Sequence, residues 1–561
     1  MIGLNKIGLN QVQLNRLRLN APFPTCRKMA GGGGSSDGFP QLPGDVTRWY
    51  FGGLTNEMMA AMDDPRIEDA DHKGRFLSFK NFAWGGMSGC GGYSLSKETF
   101  SYTPDIYSFN FTDPEGGLKI FDVYFQLIGL EENSGVTFNL DIIESGTAKR
   151  IKRETYTKDG IYHFEYKSED DAVRLYMIGY NGVGADRTTF TVKILPYYAG
   201  ALVFDGVDDY GICENFPILT KEKGYTVVAL RKWLTPENKT DDEVLVANLK
   251  KPKLEAEAWG AFGCEIKYNN TNPKIARTLS FGNMPVINVN ENNVLLCQTS
   301  NNYNGVDITS GNDTGGPYLL ICSGGRTLFA NAAIWELIIL DHDATEEELT
   351  KIKDYFVKTY PWLFPDQAWT VVGKTNEDKD RATIANITGN GNDLILSNFG
   401  FIEGSGYNEE GEYAGYLVTD GVDDKAVSKQ FKFGKNFTVI LDFKFPVKKI
   451  SYCGFDLSSK VRIQNLQGSG VYVVLKGNKT LIPSNVVRAV TSEGKVYDEN
   501  WNEYNIVPGN ISSNYTMVNL GFDGSNQFAE SATKLAGIYS STLSKDDCIK
   551  AYNYLQTLKA K

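Results

Sequence analysis

The chain has 561 residues, 12% of them aromatic, with 57 Gly and a net charge of −11. That length gives room for about three to four domains. The acidic balance argues against sequence-independent binding to nucleic acid, which draws on clustered Lys and Arg. No stretch approaches the roughly eighteen uninterrupted apolar residues of a membrane span, and the amino terminus is too often polar for a signal-peptide core. A soluble chain, not inserted in a membrane and not exported by the usual route, is expected. The eight cysteines are never closer than 25 positions, which leaves out CxxC metal or redox patterns and a dense disulfide framework. Abundant Tyr, Phe and Gly favour short strands joined by tight turns.

Residues 1–30 form a head of their own. Leu4, Leu9, Leu14 and Leu19 each precede an Asn, and Ile2, Ile7, Val12 and Leu17 stand two places before each leucine. A period of five matches neither the 3.6 of a helix nor the 2 of a strand, so these rows cannot bury against their own segment in either standard form. The head has five cations and no acid, leaving −16 on the remainder. It reads as an anchor for an acidic protein surface, with nucleic acid a second choice, or as a self-associating prism of several chains. Residues 31–44, opening on four glycines, read as a flexible tether.

The body compares with itself as two copies of one unit, 45–362 and 363–561. Trp49, Gly53, Thr55 and Asn56 recur at the same spacing as Trp369, Gly373, Thr375 and Asn376. Asn81-Phe82, Ser88-Gly89 and Tyr93 recur as Asn398-Phe399, Ser405-Gly406 and Tyr407. DGVDD occurs at Asp205–Asp209 and at Asp420–Asp424, each followed by an apolar run, Tyr225–Trp233 or Phe437–Phe445. Capping boxes at Thr345/Glu348 and Ser544/Asp547 open a closing helix in each copy. The first copy is longer by an insertion at 95–198. Its strand-like runs Val136–Ile143, Tyr162–Tyr166 and Thr189–Leu195 read as a small β-sandwich.

Each DGVDD follows a short apolar strand, and Asp-Gly supplies the positive φ of a tight turn. The first reading is a turn. The second is an ion site at Asp205, Asp208 and Asp209 and at Asp420, Asp423 and Asp424, with Ca²⁺ the ion such carboxylates suit, although Ca²⁺ wants six or more oxygens. Otherwise no cofactor is expected.

ALVFDGVDDYG, the strand YTVVALRKW and the helix after ELIILDHDATEEEL resemble the laminin-G-like, or concanavalin-like, jelly-roll family; YLVTDGVDDKAV to LSKDDCIKAYNYL resembles it more weakly. The family implies two packed antiparallel sheets and binding of glycans or proteins. The order of parts, and above all ATIANITGNGNDLILSNFGF at Ala382–Phe401, resembles virion proteins of gut bacteriophages, including the crAss-like group. That resemblance implies a head fibre, tail fibre or related appendage, located in the virion after synthesis in the host cytoplasm. It also implies a homo-oligomer with a trimer favoured, held to other virion proteins through residues 1–30.

Signals for catalysis are weak. The E-x-D-x-x-E pattern of glycan hydrolases on this fold is absent, and Glu255 and Glu257 before Trp259 read as a solvated face. His72, His163 and His342 fall in separate modules. Gly373-Lys374-Thr375 resembles the end of a P-loop, but its counterpart Gly53-Leu54-Thr55 lacks the lysine, so a turn is the shared feature. Tyr107, Tyr162, Tyr176, Tyr180, Tyr197 and Tyr198 of the insertion are candidates for sugar stacking, although most strand aromatics belong to cores. The expectation is a mostly β, non-enzymatic virion protein presenting two jelly rolls and an inserted sandwich to host-surface glycans. The alternatives are a cell-surface glycan-binding module and a glycan-degrading enzyme.

Overall fold

The computed structural model describes residues 38–560 apart from 113–119, 131–134, 169–172, 183–186, 236–241, 253–261, 268–274, 278–286, 289–291, 308–314, 326–327, 446–452, 459, 466–470, 510–514 and 524–527. The head residues Ile2 to Leu19, and Glu255, Glu257 and Trp259, lie outside the described residues.

The fold is mostly β, with two jelly-roll sandwiches and a third, smaller sandwich. In the N-terminal sandwich the central strand Asn331–Leu340 pairs antiparallel with Thr226–Trp233 on one side. On its other side it pairs with Leu202–Asp205 and Val46–Tyr50, which follow one another along it. The facing sheet runs through Glu243–Leu249, Tyr318–Ile321, Tyr210–Glu214 and Phe76–Lys80. The C-terminal sandwich repeats this arrangement. Glu530–Tyr539 is central, Thr438–Lys444 lies on one side, and Tyr416–Asp420 and Gln367–Thr370 lie on the other. Strands buried on both faces read as continuous apolar runs, and NAAIWELIIL and TVILDFK do so here. The landmark tryptophans Trp49 and Trp369 sit in the two cores.

The first capping box forms with both of its arms, and the second with its N-cap arm. Thr345 Oγ1 accepts from the Glu348 N–H (3.3 Å) while Glu348 accepts from the Thr345 N–H (2.7 Å), and the helix runs over Glu346–Thr359. Ser544 caps Lys545–Gln556, its Oγ accepting from the Asp547 N–H at 3.1 Å. The string at Ala382–Phe401 is a hairpin in which Thr383–Ile384 pairs with Leu394–Ser397. Trp369 donates its indole N–H to the Asn392 carbonyl (2.8 Å), and Asn390 donates to the Asp366 carbonyl (2.6 Å), which ties this hairpin to the first strand of the copy.

Between Gly89–Cys90 and Leu202–Asp205 the chain leaves to build two four-stranded sheets. One has Ile120–Ile128 and Phe190–Ile194 at its centre, the other Phe138–Glu144 and Leu175–Asn181. They close on their own apolar core, with Tyr102, Phe125, Phe138 and Phe164 nearly or fully buried. By contacts, the described residues of 93–198 form one compact unit with those of 354–560, and those of 38–92 form another with those of 199–353. Within the former unit the buried Tyr124 stacks on His163 (4.0 Å, 5°) and meets Tyr552 edge-on at 6.3 Å. Tyr552 in turn donates to Asp442 (3.2 Å), which also accepts from Tyr416 (2.8 Å), Gln556 (2.8 Å) and Arg488. Burial would raise the Asp442 carboxyl, but the Arg488 guanidinium and Lys534 hold it well below the usual carboxylate range.

The described cysteines form no disulfide, and most are buried. No helix among the described residues is long and apolar enough to cross a membrane.

Candidate functional site

Landmarks that lie over a hundred positions apart in the first copy meet at one corner of each jelly roll. Asp205 closes its strand, and its Oδ1 accepts from the N–H of Val207 (2.8 Å) and of Asp208 (3.4 Å), while Asp209 Oδ2 accepts from the Asp205 N–H (3.1 Å). Asn81 donates its Nδ2 to the Asp208 carbonyl (2.9 Å), and Ser88 Oγ accepts from the Ala83 N–H (2.9 Å). Asn56 exchanges two bonds with the backbone of Cys90 (2.6 and 3.2 Å).

The second copy repeats the constellation atom for atom. Asp420 Oδ1 accepts from Val422 (2.8 Å) and Asp423 (3.4 Å), and Asp424 Oδ2 accepts from the Asp420 N–H (2.9 Å). Asn398 bonds the Asp423 carbonyl (3.0 Å), Ser405 the Gly400 N–H (2.8 Å), and Asn376 the backbone of Tyr407 (2.7 and 2.9 Å). Gly206 and Gly421, at φ +73° and +75°, supply the left-handed backbone that the turn demands. The repeated Asn, Ser and Asp residues are therefore the bonding set of one turn and the strands that carry it, whereas the counterpart of Tyr407 is Cys90 and not Tyr93, because Cys90 is the residue that pairs with Leu202 as Tyr407 pairs with Leu417.

The corners also concentrate charge. In each, one oxygen from every one of the three aspartates lies within 4.8 Å of the others. Asp209 and Asp424 are fully buried, and the Oδ1 of each has no hydrogen-bond partner. Burial pushes the Asp209 carboxyl up to about 7, against the pull of the Ser88 hydroxyl and with the repulsion of Asp205; burial likewise pushes Asp424 up to about 6, against the Ser405 hydroxyl and with the repulsion of Asp420. The turn uses Asp205 Oδ1 and Asp209 Oδ2, so the oxygens left for a cation are fewer than the six or more that Ca²⁺ takes.

The other sequence candidates do not converge. His72 pairs with Glu68 (2.9 Å), His163 with Asp122 (2.7 Å), and His342 lies between Asp341 and Glu348 at 3.2 Å from each. Lys374 is tied to Asp380 (2.7 Å) and Gly373 is in the left-handed region, so this segment is a turn. Of the six tyrosines, Tyr162 packs against the inserted core, Tyr197 donates to the Asp122 carbonyl and Tyr198 is buried. Tyr107 is half exposed beneath Arg187, whose guanidinium is 4.5 Å from the ring centre.

A groove that sequence reasoning missed lies on the C-terminal sandwich. About 480 Å³ in volume, it is lined by Asp456, Lys460, Arg462, Gln464, Val474, Lys476 and Lys479 among others. Strand alternation builds it. Val461, Ile463, Val471, Val473 and Leu475 point into the core, so Arg462, Gln464, Tyr472 and Val474 stand on the opposite face. Cross-strand register lines up Asp456, Arg462, Val474 and Lys479 in one row, and Gln464, Tyr472 and Leu481 in the next. Lys476-Gly477, both with positive φ, makes the tight hairpin turn at one end. The available signal was the run VYVVLKGNKTLI, whose alternation and Lys-Gly turn predict a hairpin with two lysines at its end.

No family model matches the chain, and no curated protein matches it. Among solved structures the chain is similar to a Trypanosoma rangeli sialidase in complex with sialic acid, at 9% identity and a TM-score of 0.26, covering 79% of this chain and 83% of that one. It is also similar to the botulinum neurotoxin serotype D binding domain, at 10% identity and a TM-score of 0.25, covering 62% and 88%. Likenesses at these values carry no argument about what this chain binds or does.

Proposed function

We propose that the chain is a non-enzymatic structural protein of a bacteriophage particle, a head fibre, tail fibre or related appendage. Residues 1–30 fix it to other virion proteins and its sandwiches face outward to contact host-surface glycans. The observation that carries this reading is the contrast between the two parts. The sandwiches close on their own cores. The head presents rows of leucine at a five-residue period that neither a helix nor a strand buries by itself. The glycine-rich tether between them supplies angular freedom, and the phage-like string at Ala382–Phe401 supports the same placement. A side-by-side homo-oligomer, with a trimer favoured, multiplies weak surface contacts through effective concentration.

The test is deletion of residues 1–30. The shortened chain is expected to fold, with an unchanged circular dichroism spectrum, and to be missing from purified particles. A truncated chain that still joins particles removes the anchor from the account.

A further inference from the structure

The chain is acidic overall, yet one face of its C-terminal sandwich gathers four cations, Lys460, Arg462, Lys476 and Lys479, with Asp456 the one carboxylate lining the groove among the described residues. The cations are not equivalent. Arg462 is held between Asp456 (3.6 Å) and Asp523 (3.9 Å), so its charge is compensated. Lys479 is exposed, its ammonium 5.2 Å from the centre of the Tyr472 ring. Lys460 is 1% exposed, and its ammonium donates to the Phe433 and Gly434 carbonyls, both at 2.9 Å. Among the described residues no carboxylate lies within ion-pair distance of it.

This ammonium, held by two neutral carbonyls and lying 4.7 Å from the centre of the Phe433 ring, retains part of the desolvation penalty that a counter-charge would offset. Burial pulls the Lys460 pKa down to about 8, and repulsion from Lys476 adds to the fall. An anion placed between Lys460 and Lys476 would reverse both effects. Beside this end of the groove, Val474 and Tyr472 stand half-buried on the same face, with Gln464 opposite Tyr472 across the strands. Such a mixture of apolar surface and a neutral donor and acceptor suits the C–H faces and hydroxyls of a sugar. The volume falls within the range of small-ligand sites.

We propose that this groove seats an acidic glycan, its carboxylate or sulfate group between Lys460 and Lys476 and its sugar ring over Val474 and Tyr472. The assignment rests on the glycan-contact reading above and names the class of glycan. A nucleic acid strand fits less well, because its backbone needs a long basic track and successive stacking rings, whereas these cations sit at one hairpin end of an acidic chain.

The experiment is calorimetric titration of the full chain with oligogalacturonate, its fully methyl-esterified form, chondroitin sulfate oligosaccharide and a short oligothymidylate. Oligogalacturonate or the sulfated oligosaccharide is expected to bind, whichever is tighter identifying the anion, and the ester to bind at least about tenfold more weakly. The exposed-face double variant K476Q/K479Q, with an unchanged melting temperature, is expected to lose about tenfold in affinity for the acidic glycan. Equal binding of acid and ester, or an undiminished affinity in the double variant, overturns the acidic assignment while leaving glycan contact intact. Binding of oligothymidylate above any glycan, or no binding of any glycan, overturns both.

Discussion

Asp209→Asn, made alongside Asp424→Asn, tests the physical account of the twin corners. Asp209 titrates near 3.8 when unfolded and near 7 in the fold, because burial penalises its charge. The folded state therefore binds more protons than the unfolded state between about pH 4 and pH 7, and the corner loses stability as pH rises through that window. At about 1.4 kcal/mol per decade of pKa, the full loss is about 4 kcal/mol at Asp209 and about 3 kcal/mol at Asp424. Asparagine keeps an acceptor for the Asp205 N–H and removes the charge, so the variant should show little pH dependence and be better protected than the parent at pH 8. Peptide-resolved hydrogen exchange across Leu202–Asp205 and Tyr210–Glu214, from pH 5 to pH 8, reads this locally. A variant less protected than the parent at pH 8 would refute the reasoning, since it would mean that the carboxylate is paired in the fold. If that loss were reproduced in the parent by a calcium chelator, the partner would be a bound cation, and the ion reading of DGVDD would replace the turn.

Two further substitutions probe buried networks. Glu265 accepts from both Arg231 and Trp233, and from Tyr303, with every partner buried. Glu265→Gln should cost about 3–5 kcal/mol by leaving a guanidinium unpaired, while the paired change R231M/E265M should recover much of that loss in denaturant unfolding. A single variant no weaker than the double variant would show that the pair contributes no coupling. Tyr124→Ala should destabilise the contact with Tyr552 by about 3–5 kcal/mol, raising hydrogen exchange both at Phe121–Phe125 and in the helix Lys545–Gln556. Faster exchange confined to the inserted sandwich would show that Tyr124 serves only its own core.

What could be read from order alone was whatever depends on near neighbours. Asp-Gly followed by two aspartates makes its own turn, Ser544 and Asp547 cap their own helix, and runs such as NAAIWELIIL declare strands buried on both faces. These are local stereochemistry; a repeat of landmarks in the same order indicated two copies of one unit with an inserted sandwich, and the jelly roll came from the resemblance of ALVFDGVDDYG and its neighbouring strand and helix to a known family. Three things waited for the tertiary structure. Asn81 and Asp208 lie 127 positions apart, and only sheet pairing reveals that the duplicated landmarks bond one another. The inserted sandwich interrupts the first jelly roll in sequence yet packs its Tyr124 against Tyr552, a contact between surfaces that no spacing records. The groove exists because register sets Arg462 beside Val474 and Lys479, and because Lys460 is buried next to Lys476. In the sequence these are ordinary lysines, and what distinguishes Lys460 is burial with no carboxylate partner among the described residues, a property of the packed fold and not of residue order.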